Sequence, residues 1–201
     1  MPEYTLYDDS SNPTNPNEND GEPERILGTI VKNTVDTYII GMRWRTPTGG
    51  LPPTVYGSLW SLTSDDPTSN TGTRLEIVQF DFTGVTAGQW ARLNFAAPIF
   101  WTNNTPRAVQ VYISGGRYTF SNPNTFASPH SAPFTNNTLT VYDDHSNGRW
   151  TNNPAGTFPA GDNQLAANNY PGGSGYNFWV DIIVNDNPTT HPKGSEFVPF
   201  F

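Results

Sequence analysis

The sequence contains no cysteine among its 201 residues. The chain therefore has neither disulfides nor thiolate chemistry, and cysteine usage says nothing about its compartment. It is also poor in basic residues, with 10 Lys and Arg against 18 Asp and Glu, and its formal net charge is -8. Because phosphate binding needs clustered positive charge, this balance argues against nucleic acid as a partner.

Long apolar runs and helix-forming stretches are absent as well. No stretch reaches the roughly 20 apolar residues that cross a bilayer, so no membrane contact is expected. The 18 Gly and 19 Pro interrupt nearly every window of helical length. The first residues lack the pattern of a signal peptide. We therefore expect a protein that leaves the cell by a route other than secretion, the alternatives being one that works where it is made and one whose leader has been removed.

The recurring signal is the period of two that marks β-strands. Residues 177–184 show it best, because apolar side chains occupy every second position from Phe178 to Val184, which predicts a strand with one fully apolar face. A second strand, 38–44, is expected to have one buried and one wet side. Further strands are predicted at residues 25–31, 55–62, 73–82, 88–95, 108–114, 117–120 and 138–142.

These strands predict an all-β fold, a single antiparallel β-sandwich of jelly-roll or immunoglobulin-like type with long loops and irregular termini. Residues 1–24 form a separate acidic segment in this scheme, expected to be solvated and irregular because residues 8–24 carry acidic side chains and no Lys or Arg. The spacing of those acidic residues does not match a calcium-binding EF-hand loop. The sandwich is expected to span 25–184, followed by a Phe-rich tail at 185–201.

Two groups of aromatic residues are candidate binding residues. Trp101, Trp150 and Tyr170 each lie close to Asn, and a flat ring beside polar side chains suits a sugar, so they are predicted to form a glycan platform. The alternative is that the rings of the long polar region 121–175 only hold that region on the sandwich. The tail ends in aromatic residues predicted to dock on a partner or on the domain itself, namely Phe197, Phe200 and Phe201.

Evidence for catalysis is weak. His145 lies in an acidic run, 142–148, that could supply imidazole and carboxylates to a metal or a proton transfer, but such a run is more typical of a turn. The chain lacks a Gly-x-Ser-x-Gly elbow, a phosphate-binding glycine loop and a paired-His zinc motif. The sequence therefore predicts a protein that is not an enzyme and has no catalytic residues, bound metal or cofactor.

Several strand motifs resemble those of a β-sandwich module family catalogued as a domain of unknown function. The most specific are Gly-Ser-Leu-Trp at 57–60 and the Trp-Val-Asp strand at 177–184, and the resemblance covers about residues 25–184. Such modules occur in bacterial surface proteins, extracellular polysaccharide enzymes and minor tail proteins of actinobacteriophages. The resemblance implies an immunoglobulin-like or carbohydrate-binding-like sandwich. The region 121–175 is longer and more polar than is usual in that family.

The resemblance and the composition together predict a non-catalytic virion structural or accessory protein. It would decorate a capsid or form a minor tail protein, assemble in the host cytoplasm and expose its sandwich on the particle surface. Its expected partner is a larger virion lattice or tail, docked through the acidic N-terminal segment, the C-terminal Phe residues or both, with a host cell-surface glycan and a homo-oligomer as further possibilities. The alternative is a carbohydrate-binding module of a bacterial surface or secreted protein, at the cell surface or outside the cell.

Overall fold

The computed structural model describes residues 3–19, 24–63, 71–115, 117–121, 135–141, 148–152, 168–169 and 177–186. All regular structure in these residues is β-strand, and they contain no helix that could span a membrane. The strands are β1 (Glu3–Thr5), β2 (Asn15–Asn19), β3 (Glu24–Asn33), β4 (Thr37–Arg45), β5 (Val55–Leu62), β6 (Gly72–Gln79), β7 (Trp90–Trp101), β8 (Arg107–Ser114), β9 (Arg117–Phe120), β10 (Thr135–Asn136), β11 (Leu139–Thr140), β12 (Gly148–Asn152), β13 (Asn168–Asn169) and β14 (Val180–Asn185).

Two antiparallel sheets make up the sandwich. The front sheet has the order β1-β14-β4-β7. The back sheet has eight strands, in the order β10-β11-β3-β8-β5-β6, with β12 pairing with both β3 and β13. A separate two-stranded sheet joins β2 to β9. Neither large sheet closes into a barrel, so the predicted antiparallel β-sandwich is confirmed.

The core lies between the two large sheets. Alternate residues of each strand point inward, so that Met42 and Leu93 of the front sheet share one apolar cluster with Leu27, Leu59 and Val109 of the back sheet. The largest fully buried side chains include three tryptophans. Full burial of one large apolar side chain contributes about 1.5–3 kcal/mol, so this cluster supplies the main stabilisation of the fold.

The best-predicted strand starts later than its sequence pattern indicates. β14 begins at Val180 because Trp179 has a φ of 55°, in the left-handed region that an extended strand cannot contain. The face opposite the core is also buried, since Asp181 is 0% exposed and Ile183 is 1% exposed. Both faces of β14 are therefore buried, because the N-terminal residues lie over the face opposite the core.

β4 was predicted to have one buried and one wet side, but both of its sides are buried. A bulge between Ile39 and Gly41 shifts its pairing with β7, so Ile39 joins Met42 in the main apolar cluster. Arg43, which lies on the side predicted to be wet, is buried at 7% exposure. The strand is thus covered on both faces, as β14 is.

The N-terminal segment is part of the sandwich rather than an irregular extension. β1 pairs with β14, with Tyr4 opposite Val184, and β2 pairs with β9. The prediction that residues 8–24 are irregular is wrong at β2. Five strands of two to five residues, β1, β2, β10, β12 and β13, have no counterpart among the predicted strands, because their residues are mostly polar and lack alternation.

Alanine substitutions at two buried glycines are predicted to lower the stability of the fold by different amounts. A Cβ at Gly41 would overlap the backbone carbonyl oxygen of Leu93, whereas a Cβ at Gly57 would overlap the flexible side chain of Met42. We expect Gly41→Ala to lower the free energy of unfolding by about 3 kcal/mol and Gly57→Ala by about 1 kcal/mol, since only the second overlap can be relieved by a rotamer change. Urea denaturation of both variants measures the difference, and equal losses would contradict it.

Candidate ligand-binding site

A buried carboxylate fastens the N-terminal segment to the front sheet. Asp181 is 0% exposed, and each of its oxygens accepts two hydrogen bonds. Oδ1 accepts from the backbone N–H groups of Leu6 at 2.9 Å and Ile182 at 2.7 Å. Oδ2 accepts from the backbone N–H of Tyr7 at 3.1 Å and from Nε of Arg43 at 2.9 Å. One side chain therefore joins β14, β4 and the residues that follow β1.

The surroundings of this carboxylate act on its ionisation in opposite directions. Burial raises the pKa of Asp181, while the charge of Arg43 and the N–H groups of Leu6 and Tyr7 oppose that rise. Burial, followed by the nearby charge of Asp181, raises the pKa of Tyr7 well above its ordinary value. The Tyr7 hydroxyl therefore stays neutral and donates a hydrogen bond to Oδ1 of Asn177 at 3.0 Å.

Arg43 distributes its donors over the same segment. Its Nε bonds Asp181, its NH1 bonds the carboxylate of Asp9, and its NH2 bonds Oγ1 of Thr5 at 2.9 Å and a backbone carbonyl. The guanidinium carbon also lies 4.2 Å from the ring centroid of Trp90, a cation–π distance. All three nitrogens are engaged, so this cation is both compensated and fixed in position.

Trp90 belongs to an aromatic cluster under the N-terminal segment. Its ring stacks on that of Tyr7 with centroids 6.1 Å apart and an interplanar angle of 15°. Trp179 lies 5.0 Å from Tyr7 and 6.1 Å from Trp90. These contacts hold the Trp90 ring in a defined place, while part of its surface stays exposed.

A cavity of about 330 Å³ opens beside this cluster. Its rim includes a bidentate ion pair, in which NH1 and NH2 of Arg92 bond the two oxygens of Glu3 at 2.6 and 2.9 Å. Both partners of this pair are nearly half exposed, and the hydrogen bonding of Arg92 to the Glu3 carboxylate raises the pKa of Arg92. The residues that line the cavity, which we call the Trp90 cavity, are Glu3, Thr5, Asp9, Arg43, Trp90, Arg92 and Ile183.

The Trp90 cavity combines an apolar wall with a polar rim whose groups are held by one another. Trp90 and Ile183 provide the apolar part, while the guanidinium and carboxylate groups provide donors and acceptors. Asp9 is 88% exposed on its side chain, and its second oxygen makes no hydrogen bond within the described residues. The described residues contain no group of three or more His, Asp or Glu side chains that could hold a metal. The arrangement suits the non-covalent binding of a small polar ligand.

Trp101, one of the three residues of the predicted glycan platform, is not on the surface of the protein. That residue is 0% exposed, and its Nε1 donates to the carbonyl oxygen of Thr105 at 2.8 Å. Its ring also lies 5.9 Å from the guanidinium carbon of Arg107. The prediction for Trp101 is corrected accordingly, because a ring with no exposed surface cannot stack on a sugar.

The remaining predicted site residues fall outside what the structure describes. The backbone of Trp150 lies in β12 opposite Leu27 and Asn168, but its side chain is outside the described part. The other residues that lie outside it are Tyr170, His145, Phe197, Phe200 and Phe201. Their proposed roles stay predictions.

Sequence reasoning missed the Trp90 cavity. A usable signal was present: Asp181 interrupts an otherwise apolar stretch, and a carboxylate in a buried strand needs a cationic partner. Arg43, on the predicted strand 38–44, was a candidate for that partner. The part played by residues 3–9 carried no such signal, because their partners lie far along the chain and the short strand among them, β1, has no alternating pattern.

The Asp181 geometry makes a neutral replacement costly. In Asp181→Asn the amide nitrogen would face two of the four donors whichever way it is turned, and Arg43 would lose a buried counter-charge. We expect the free energy of unfolding to fall by about 3–5 kcal/mol. The matched control is Asp186→Asn, which alters an exposed carboxylate that bonds the Tyr4 hydroxyl and should cost under about 1 kcal/mol.

Urea denaturation measures both variants, and hydrogen exchange at the amides of Leu6 and Tyr7 reports whether the segment is released. An Asp181→Asn protein as stable as the control, with those two amides still protected, would contradict the role assigned to this carboxylate.

Comparison with known proteins gives a family but no function. No curated protein sequence matches the chain. The model of the domain of unknown function DUF4082 matches residues 10–171, which is most of the chain and agrees with the resemblance inferred from its strands. The matched range includes Arg43, Trp90 and Arg92 but not β1 or β14. The chain therefore belongs to the DUF4082 family.

Proposed function

We propose that this chain is a non-catalytic binding module, that its ligand is a carbohydrate, and that the Trp90 cavity is the binding site. One observation carries the proposal: a part-exposed tryptophan, fixed by aromatic neighbours, lies in a concave site whose rim alternates guanidinium and carboxylate groups. The rim is ordered without a ligand, so binding requires little further ordering of side chains.

A sugar matches this set of groups. A pyranose has an apolar face of C–H groups and a rim of hydroxyls that both donate and accept hydrogen bonds. Trp90 and Ile183 suit the apolar face, Asp9 offers an acceptor, and Arg92 offers donors. The volume of about 330 Å³ is at the small end of the range for ligand pockets, which favours recognition of one sugar unit instead of a long segment.

Binding without catalysis follows from how the two carboxylates are held. Glycoside hydrolysis needs one carboxyl group that carries a proton and a second that is free to act as base or nucleophile. Glu3 and Asp9 each make an ion pair with an arginine, and both oxygens of Glu3 are occupied by Arg92. Held in these ion pairs, the two carboxylates are better suited to bind sugar hydroxyl groups than to transfer protons.

Two substitutions in the cavity test the proposal. Trp90→Ala removes the apolar wall and Arg92→Ala removes exposed donors, so each should weaken retention of the chain on polysaccharide gels at least about tenfold, the ratio that corresponds to 1.4 kcal/mol. Affinity electrophoresis against a set of polysaccharides measures the retention. Phe100→Ala is the control, because it removes a 53% exposed aromatic ring that does not line the cavity.

The same experiment separates the cavity from the predicted platform. Wild-type chain that no polysaccharide retains would contradict carbohydrate binding. Retention that is lost in Trp150→Ala and Tyr170→Ala but kept in Trp90→Ala and Arg92→Ala would assign the sugar to the platform residues and exclude the cavity. Circular dichroism and thermal melting identify any variant that fails to fold.

We also propose that the chain acts as an accessory protein on a virion, as a capsid decoration or minor tail protein. The proposal has three supports: the family resemblance inferred from the sequence, the acidic cysteine-free composition, and two exposed apolar side chains that could contact a protein lattice. Phe100 is 53% exposed and contacts the ring of Tyr38 at 5.4 Å, and Val35, in the turn that leads into β4, is 40% exposed. Exposed apolar groups of this kind favour protein contacts.

Purified particles test this second proposal. We expect the chain to sediment with virions through a density gradient in many copies per particle, and Phe197→Ser, Phe200→Ser and Phe201→Ser combined to release it if the tail is the docking element. Leu75→Ser, which changes an exposed apolar residue of β6, is the control. Virions that lack the chain would contradict the location while leaving carbohydrate binding in place.

A further inference from the structure

The charges around the Trp90 cavity restrict which carbohydrate it can take. Two arginines meet three carboxylates there, since Arg92 pairs with Glu3 and Arg43 pairs with both Asp9 and Asp181. Both guanidinium groups that line the cavity are thus compensated by this chain's own acidic groups, and the formal charge of the five residues is -1. The guanidinium carbon of a third arginine, Arg45, lies 5.8 Å from the Trp90 ring centroid, but Arg45 does not line the cavity. An anionic ligand would therefore meet no lining arginine that lacks an acidic partner.

We infer that the cavity binds a neutral pyranose and rejects sugars that carry a carboxylate; this inference rests on the proposed function and names its ligand class. To form the bidentate pair in which an arginine binds a carboxylate most strongly, Arg92 would have to release Glu3, which accepts one hydrogen bond from each of its terminal nitrogens. The third nitrogen, Nε, bonds Oδ1 of Asn94 at 2.8 Å. A released Glu3 carboxylate would then lie beside the incoming anion, and like charges in contact are strongly unfavourable.

Neutral hydroxyl groups face no such conflict. A hydroxyl can donate to the second oxygen of Asp9 and accept from an N–H of Arg92 without displacing either ion pair. Arg43 is 8% exposed on its side chain and has all three nitrogens bonded, so it positions Asp9 and Trp90 instead of meeting the ligand. The net charge of -8 over the whole chain adds to the repulsion of acidic polymers.

The test compares polymers that differ only in charge. β-Glucan, mannan and chitin fragments are each offered to the full chain as the neutral polymer and as the same polymer with carboxylates at C6. We expect at least about tenfold tighter binding of the neutral form of whichever polymer binds, measured by affinity electrophoresis at low salt, where unscreened charges act most strongly. Selectivity should weaken as salt is added.

Glu3→Gln tests the inference through a gain of binding, because the variant should bind the carboxylated polymer more tightly, relative to the neutral one, than the wild-type chain does. The substitution frees Arg92 from its counter-charge, so the ratio of the affinity for the carboxylated polymer to that for the neutral polymer should rise about tenfold. Asp9→Asn should shift the preference in the same direction and covers the case in which Glu3→Gln disturbs β1. Glu76→Gln on β6 is the control, since it removes the same charge from the back sheet, away from the cavity.

The outcomes separate this inference from the proposed function. Wild-type chain that binds the carboxylated polymer as well as the neutral one, or a Glu3→Gln preference equal to that of Glu76→Gln, overturns the inference while carbohydrate binding stands. Wild-type chain that binds no polymer of either kind overturns the proposed function, and the inference with it.

Discussion

The four hydrogen bonds accepted by the buried carboxylate of Asp181 determine how the front sheet is completed. Removing an ion from water costs free energy unless partners replace the lost solvation, and here the partners are Arg43 and the backbone of residues 6, 7 and 182. The carboxylate therefore holds in place a segment whose Leu6 and Tyr7 side chains are buried in the main apolar cluster. With that segment in place, Tyr7 meets Trp90 and Trp179, and the Trp90 cavity has its outer wall.

Most of the longer strands could be predicted from sequence because the pattern that marks them is local. β3, β4, β5, β8 and β9 lie close to their predicted positions, since each is rich in the β-branched and aromatic residues that favour strands. The coverage of the second face of β14 could not be predicted in this way. Leu6 and Asp181, which make that contact, are 175 residues apart, and the N–H group involved is common to every residue except proline.

The candidate site could likewise be predicted only in part, because local sequence does not show which side chains the fold leaves exposed. Trp101 and Trp90 are both tryptophans at the ends of β7, and sequence neighbours alone favoured the first because Asn lies beside it. Pairing with β4 decides otherwise, burying Trp101 opposite Thr37 and leaving Trp90 part exposed opposite Arg45. The cavity could not have been taken from the family match either, since residues 10–171 leave out Glu3, Thr5, Asp9 and Ile183. It is formed by parts of the chain that only the folded sandwich brings together.

The three residues of β1 have a consequence apart from ligand recognition. They pair with one side of β14, whose residues are all buried, and so occupy backbone groups that would otherwise form the border of the front sheet. An uncovered border of this kind is a template for strand addition from another molecule. Proteolytic trimming just after Thr5 would therefore leave a protein prone to self-association through β14, and the polar start of the chain acts as protection against aggregation.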